Sequence, residues 1–229
     1  MVNVKVPLVQ EIQYSAFAFC KNLQTSSMSY CTSIDRYAFF NILDCGNLTF
    51  GGVQFLGDHA FEKCGTMYIV FSSTATVSIF TSNTFAQCKQ LISITYPLSK
   101  ITQIQENVFY NCNLLTKFID NGGGTPNYFE NCLSIGSSAF LFCYALRSIR
   151  LGKCNYIGKS AFANCSNLSL LYLYTSSVCT LGSSVFYGTP FSVSTYHGKF
   201  GSIYVPASLV SEYKAAPNWS EYSDRIVGM

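Results

Sequence analysis

The chain has 229 residues, of which 49% are hydrophobic and only 11% are charged, and its formal net charge is +3. Its 16 Tyr and 19 Phe residues exclude an intrinsically disordered protein, because such chains lack the apolar surface that folding buries. The longest apolar runs, such as residues 67–71, are far shorter than the roughly 20 residues that span a bilayer. With so small a net charge, the composition predicts a folded chain without membrane insertion and without a nucleic-acid partner.

One pattern recurs along the chain: an aliphatic residue, three positions, Ala-Phe, two positions, Cys, two positions and Leu. Clean copies lie at 12–23, 135–146 and 157–168. The phenylalanines of eight copies lie at 17, 39, 61, 85, 109, 140, 162 and 186, so six of the seven intervals are 22 or 24 residues. A unit of this size buries its apolar face only against stacked neighbours, so the period predicts a solenoid.

Two copies depart from the pattern. After Ala38-Phe39, Cys45 and Leu48 come three residues late, which predicts an insertion within 40–44. The 31-residue interval before Phe140 contains Asp-Asn-Gly-Gly-Gly-Thr-Pro-Asn at 120–127, a sequence typical of turns. We interpret 120–132 as an inserted loop. The alternative is that 128–132, Tyr-Phe-Glu-Asn-Cys, is a shortened repeat.

Each repeat is predicted to contain one short helical turn followed by one strand. In the copy at 157–168, Ser160 is a suitable helix N-cap, and Phe162 and Cys165 lie on one face of the turn. The strands of successive copies form a parallel sheet, and the two-residue alternation decides which side chains face outward. The outward side chains form a candidate binding face: Phe71, Thr95, Lys117, Arg150, Tyr172 and Tyr204.

The eleven cysteines are interpreted as packing residues. Seven occupy the motif position, where a small buried side chain fits a stacked core: Cys20, Cys45, Cys64, Cys88, Cys112, Cys143 and Cys165. The chain has no Cys-x-x-Cys pair, so we predict no metal site and no cofactor. Cys31, Cys132, Cys154 and Cys179 lie outside the motif and are the better candidates for a disulfide.

The chain has two histidines, and neither indicates catalysis. His59 lies in the variable turn before Ala60-Phe61, and His197 lies in a polar loop. No nucleophile-elbow or zinc-protease motif accompanies them. We therefore predict that the protein is not an enzyme.

The two ends of the repeat region differ. Residues 201–229 contain a strand, the single Trp and a polar helical stretch, which predicts a C-terminal cap over the last coil. Val2, Val4 and Val6 are typical of a strand, and no capping segment precedes them, so we expect the natural chain to extend further or to have a very short cap.

The stretch 133–146, Leu-Ser-Ile-Gly-Ser-Ser-Ala-Phe-Leu-Phe-Cys-Tyr-Ala-Leu, resembles the BspA-like leucine-rich repeats of bacterial and protist surface proteins. The resemblance covers about 12–200. It implies a right-handed α/β leucine-rich-repeat solenoid of about eight coils over 1–200, with a parallel sheet on one face, short helical turns on the other, and a cap over 201–229.

The resemblance also implies a function. Proteins of this kind are expected at the cell surface or in secreted form, while a cytoplasmic location stays open. The implied role is non-catalytic binding of host or matrix proteins or glycans through the sheet face. The second interpretation is a structural spacer that projects another domain and has no ligand of its own.

Overall fold

The computed structural model describes residues 2–4, 8–25, 27–192 and 200–229, with the backbone alone for 2–4 and 25. Two residues that the sequence analysis singled out, Val6 and His197, lie outside the described residues.

Short strands dominate the described part. They are β1 (Val2–Val4), β2 (Glu11–Ile12), β3 (Asn22–Thr25), β4 (Ser33–Ile34), β5 (Asp44–Cys45), β6 (Leu48–Phe50), β7 (Phe55–Leu56), β8 (Tyr68–Phe71), β9 (Ile79–Phe80), β10 (Ser93–Tyr96), β11 (Gln103–Ile104), β12 (Lys117–Asp120), β13 (Tyr128–Phe129), β14 (Ser134–Ile135), β15 (Ser148–Leu151), β16 (Tyr156–Ile157), β17 (Leu170–Leu173), β18 (Thr180–Leu181), β19 (Ser202–Val205) and β20 (Ile226–Gly228). The helical elements are α1 (Val210–Ala215) and three 3₁₀ turns at Leu98–Lys100, Ala207–Leu209 and Ser220–Arg225. Among the described residues, no helix is long and apolar enough to cross a membrane.

The strands of consecutive coils pair in parallel along two sides. One side, the main sheet, carries most of the longer strands in the orders β1-β3-β5, β6-β8-β10-β12 and β13-β15-β17-β19-β20. The other side carries two-residue strands in the orders β2-β4-β7 and β9-β11-β14-β16-β18. Each coil thus covers its neighbours, which confirms the predicted solenoid with a parallel sheet along one side.

The alternation within the main-sheet strands follows from the apolar pattern. Ile94 pairs with Ile69 on one side and with Phe118 on the other, and all three are buried. Leu171 pairs in the same way with Ile149 and Ile203. Because successive strand residues point to opposite faces, the residues between these buried ones point outward.

The motif phenylalanines form one continuous stack through the core. Rings of neighbouring coils, from Phe17 to Phe186, lie nearly parallel, with centroid distances between 5.0 and 6.0 Å. All of these rings except that of Phe17 are fully buried. Each coil contributes one ring to this stack, which explains the 22- to 24-residue spacing of the phenylalanines.

The segment around each motif phenylalanine is a run of β-turns, so the predicted helical turn and its N-cap are wrong. In the coil of Phe162, the N–H groups of Ala161, Ala163 and Cys165 donate to carbonyls three residues earlier. The alternate N–H groups of Ser160, Phe162 and Asn164 donate to the next coil. Ser160 and Asn164 have φ values of 55° and 57°, which a helix excludes and which a type II turn requires at its third position.

The second copy of the repeat contains no insertion within 40–44. Ile42 takes the cysteine position and is buried, and Cys45 takes the leucine position, where it pairs with Leu23. The spacing that follows is regular, because Leu48 of β6, three residues after Cys45, lies in the sheet and pairs with Ile69 of β8. Isoleucine replaces cysteine here because both fill the same buried space.

The inserted segment divides the main sheet. β12 pairs with β10, and the chain then leaves the sheet and returns as β13, which pairs with β15. Asn127 fills the gap between β12 and β15: its Oδ1 accepts the Phe118 N–H at 2.6 Å, and its Nδ2 donates to the Ser148 carbonyl at 3.1 Å. Tyr128 and Phe129 are therefore a main-sheet strand of the same coil as β12, and 121–126 forms the loop.

Replacing Asn127 by alanine is expected to destabilise the protein by about 2–4 kcal/mol, because the change leaves two backbone groups without their partner. Urea unfolding followed by circular dichroism measures this cost. Asn155→Ala is the matched control, since Asn155 is exposed and its loss is expected to cost less than about 0.5 kcal/mol. Equal costs for the two variants would show that the Asn127 amide does not hold the divided sheet together.

Residues 201–229 cover the end of the phenylalanine stack. Trp219 is fully buried, lies 6.0 Å from Phe186 between ring centroids, and donates its Nε1–H to the Cys179 carbonyl at 2.6 Å. The hydroxyl of Tyr213 in α1 lies 2.8 Å from Thr175 Oγ1 and accepts the Cys179 N–H at 3.0 Å. These contacts satisfy polar groups that the last coil would otherwise bury without partners.

Candidate ligand-binding face

Five of the six residues predicted for the binding face point outward from the main sheet. Arg150, Tyr172 and Tyr204 occupy paired positions on β15, β17 and β19, so their side chains are direct neighbours. Lys117 and Thr95 lie further along the same face, on β12 and β10. The structure brings the first three together and leaves the other two apart from them.

Phe71 was predicted to face outward, and this is wrong. Its side chain is fully buried, with ring centroids 5.4 Å from those of Phe50 and Tyr96. This coil is one residue shorter between Phe61 and the strand, so Thr66 takes the buried leucine position and Met67 is 46% exposed. A one-residue slip exchanges the two faces of a strand, and Tyr68 and Val70 are the outward residues here.

The outward side chains of the C-terminal coils form a tyrosine–arginine stripe, which we define as Tyr128, Arg150, Tyr172, Tyr174 and Tyr204. The Arg150 guanidinium carbon lies 4.7 Å from the centroid of the Tyr172 ring. On the other side, the Tyr204 ring stacks on Tyr172 with a centroid distance of 4.8 Å and an interplanar angle of 9°. Both faces of the Tyr172 ring are covered, so the ring presents its edge to solvent.

Tyr128 and Tyr174 extend the stripe and were not predicted. Their ring centroids are 5.5 Å apart in an edge-to-face arrangement, and the Tyr174 ring lies 6.5 Å from Tyr172. Partial burial, together with nearby Glu130, raises the pKa of the Tyr128 hydroxyl. Tyr174 continues the alternation Leu170, Tyr172, Tyr174 and could have been found from it, whereas Tyr128 lies in the inserted segment.

A shallow pocket of about 470 Å³ adjoins the stripe at Tyr174. Small and polar residues line it together with one cation: Gly152, Lys153, Cys154, Asn155, Tyr174, Thr175, Ser176 and Ser177. Within the described part of the chain, neither Arg150 nor Lys153 has a carboxylate within ion-pair distance. The stripe and the pocket together offer aromatic edges, hydroxyl groups and two unpaired cations.

Four buried thiols at the motif position lack the features of catalytic cysteines. The Sγ–H groups of Cys88, Cys112, Cys143 and Cys165 donate to the carbonyls of Phe61, Phe85, Phe109 and Phe140 in the preceding coils, at 2.9 to 3.1 Å. Burial raises the pKa of each of these four thiols, so they stay protonated and weakly nucleophilic. All eleven cysteines, including the four outside the motif, are free thiols.

His59 is paired on the turn side of its coil, away from the main sheet. Its Nδ1 lies 2.6 Å from Glu62 Oε2, and its ring stacks on Tyr37 with a centroid distance of 4.7 Å. In the part of the chain that the structure describes, no group of three or more His, Cys, Asp or Glu side chains is arranged to hold a metal ion. The tyrosine–arginine stripe and its pocket are therefore taken as the candidate binding surface.

Comparison with known proteins finds a matching family profile and a similar solved structure. The profile of a family described as "BspA type Leucine rich repeat region" matches residues 10–134 and 127–207, in six copies. Among solved structures, a leucine-rich repeat protein from Bacteroides ovatus is similar, with a TM-score of 0.55 and 21% sequence identity over 99% of this chain. The chain spans 65% of the length of that protein. No curated protein matches the chain.

Proposed function

The chain belongs to the BspA-type leucine-rich-repeat family, and from this membership we propose that it is a non-catalytic recognition module, exposed at the cell surface or secreted, that binds a protein or glycan. The tyrosine–arginine stripe is its binding face. Repeat scaffolds of this architecture serve recognition or spacing, and this surface favours recognition.

The observation that carries the proposal is the composition of the stripe and its pocket. Tyr and Arg are enriched among the residues that dominate binding energy at interfaces. Tyr with Ser, Gly and Asn is also the composition of antibody paratopes, where rigid aromatic rings supply contact area and small polar residues supply adaptable hydrogen bonds. Here the Arg150 guanidinium and the Tyr204 ring hold Tyr172 between them, so less side-chain entropy is lost on binding.

The buried, protonated thiols and the paired His59 support a non-catalytic role, in keeping with a family that is generally non-enzymatic.

The competing role is that of a structural spacer. The uninterrupted phenylalanine stack favours the spacer role, because a continuous core makes the solenoid stiff whichever residues lie on its surface. A spacer needs no particular side chains at the stripe. Substitutions in the stripe therefore abolish ligand binding if the protein is a recognition module and change nothing if it is a spacer.

The test is a binding screen against immobilised collagen, laminin, mucin and a glycan panel. The wild-type protein is compared with Arg150→Gln/Tyr172→Ala and with Tyr14→Ala/Lys89→Gln, a control pair that removes the same kinds of side chain on other coils. Thermal unfolding establishes that both variants fold. The proposal expects a binder that the stripe variant loses and the control retains. No binder, or equal binding by all three proteins, favours the spacer and overturns the proposal.

A further inference from the structure

The charges of this chain are distributed unevenly along it. Between Glu130 and Glu212 the sequence contains no Asp or Glu, although the whole chain has 11 of them. The same stretch contains five cations: Arg147, Arg150, Lys153, Lys159 and Lys199. The stretch that contains β15, β17 and β19 therefore carries cations and no carboxylate, although Glu130 lies close to Tyr128 at one end of the stripe.

The outward positions of the main sheet show the same bias. From β6 to β20 these positions hold two charged residues, Lys117 and Arg150, and both are cations. The Arg150 guanidinium packs against the Tyr172 ring, and within the described part of the chain no carboxylate lies within ion-pair distance of it. A guanidinium group is planar and is suited to bidentate binding of a carboxylate or sulfate group.

The shape of the face limits what kind of anionic chain it fits. Because both faces of the Tyr172 ring are covered, a nucleic-acid base cannot stack on it in the way that single-strand binders require. The strand that carries Tyr172 is paired on both sides, so a peptide cannot extend the sheet there. The adjoining pocket is lined in part by Ser176, Ser177 and Asn155, whose hydroxyl and amide groups suit the hydroxyl groups of a sugar.

We infer that the stripe and the Lys153 pocket bind an anionic polysaccharide. The Arg150 guanidinium and the Lys153 ammonium group bind carboxylate or sulfate groups of the polysaccharide, and the tyrosine edges with the pocket hydroxyls bind its sugar hydroxyl groups. This inference rests on the proposed recognition function and names its ligand class. Clustered cations on a protein surface are an established basis for binding such chains.

A comparison of the affinities for four polysaccharides shows which charged group the protein binds. Dextran sulfate carries sulfate groups, polygalacturonate carries carboxylates, heparin carries both, and unmodified dextran carries neither. We expect binding to at least one of the three anionic chains, weakening with salt, and none to dextran. Two further polyanions serve as controls. Poly-glutamate has no sugar hydroxyl groups, and single-stranded oligo(dT) has bases that can stack.

Two charge variants locate the site. Arg150→Gln/Lys153→Gln is expected to weaken the binding of the anionic polysaccharide by at least about tenfold, since two charge-assisted contacts are lost. Lys21→Gln/Lys89→Gln removes the same charge from exposed turns of other coils and is expected to leave the affinity unchanged. Tyr172→Phe keeps both ring stacks, removes the hydroxyl and is expected to cause a smaller loss.

Three results would overturn the inference. They are no binding to any anionic polysaccharide at low ionic strength, an equal loss in the control pair, or equal binding of poly-glutamate or oligo(dT). If the polysaccharides fail while a protein of the screening panel binds and the Arg150→Gln/Tyr172→Ala variant loses it, the recognition function stands and the ligand class is wrong. Failure of both experiments overturns both proposals.

Discussion

Replacing Phe140 by alanine is expected to lower the free energy of unfolding by about 3–5 kcal/mol. The Phe140 ring is fully buried between Phe109 and Phe162, at centroid distances of 5.1 and 5.0 Å, and it also contacts Phe118 at 6.1 Å. Its removal leaves a cavity in the middle of a stack that the coils on either side cannot close without shifting a whole repeat. Urea unfolding of the wild-type and variant proteins measures the difference.

Phe17→Ala is the matched control for this prediction. Phe17 occupies the same motif position, but it is half-buried, and among the described residues its ring stacks on one other, that of Phe39 at 5.2 Å. Its loss is expected to cost clearly less than the loss of Phe140. Costs of similar size at the two positions, or a negligible cost at Phe140, would contradict the role of the stack as the continuous core.

The protein is also expected to lose stability steeply as the pH rises above about 9. Burial raises the pKa of the Cys88, Cys112, Cys143 and Cys165 thiols above their ordinary value of 9.0. In the unfolded chain these thiols ionise near pH 9, whereas in the folded protein they stay protonated. Their contribution is therefore complete below pH 9 and is lost above it, by about 1 kcal/mol between pH 9 and pH 10 for each of Cys88, Cys143 and Cys165 and by less for Cys112.

Removing two of the four thiols tests this expectation. Cys143→Ala/Cys165→Ala is less stable at neutral pH, but between pH 9 and pH 10 it is expected to lose only about half as much stability through these thiols. Unfolding is followed in urea under reducing conditions, where the other titrating groups contribute equally to both proteins. An identical pH dependence for wild type and variant would show that the buried thiols do not control the alkaline limit.

Much of the fold could be predicted because every coil repeats the same packing requirement. The spacing of the phenylalanines predicted the solenoid, and the alternation in the strands predicted the outward positions of Arg150, Tyr172 and Tyr204. The error at Phe71 came from a single-residue change in coil length. The coil of Phe61 has one residue fewer before Met67, and in a strand such a change exchanges buried and outward residues.

The inserted segment could be predicted in part. Its glycine-rich sequence identified the loop, but the return of Tyr128 to the main sheet depends on the Asn127 side chain, which takes the place of backbone hydrogen bonds between β12 and β15. Such a substitution leaves no periodic signal in the sequence. The β-turns around the motif phenylalanines could not be predicted for a related reason. Their alternate N–H groups donate to the next coil rather than within the turn.

The measurement that tests the central claim most directly is chemical modification of tyrosines, with and without the ligand that binds in the screen. Tyr174, on the stripe, is 46% exposed, while Tyr14 and Tyr187, away from the main sheet, are 63% and 66% exposed. All three are expected to be nitrated by tetranitromethane in the free protein. If the tyrosine–arginine stripe is the binding face, the ligand protects Tyr174 and leaves Tyr14 and Tyr187 reactive. Protection of Tyr14 or Tyr187 with Tyr174 still reactive would contradict the account.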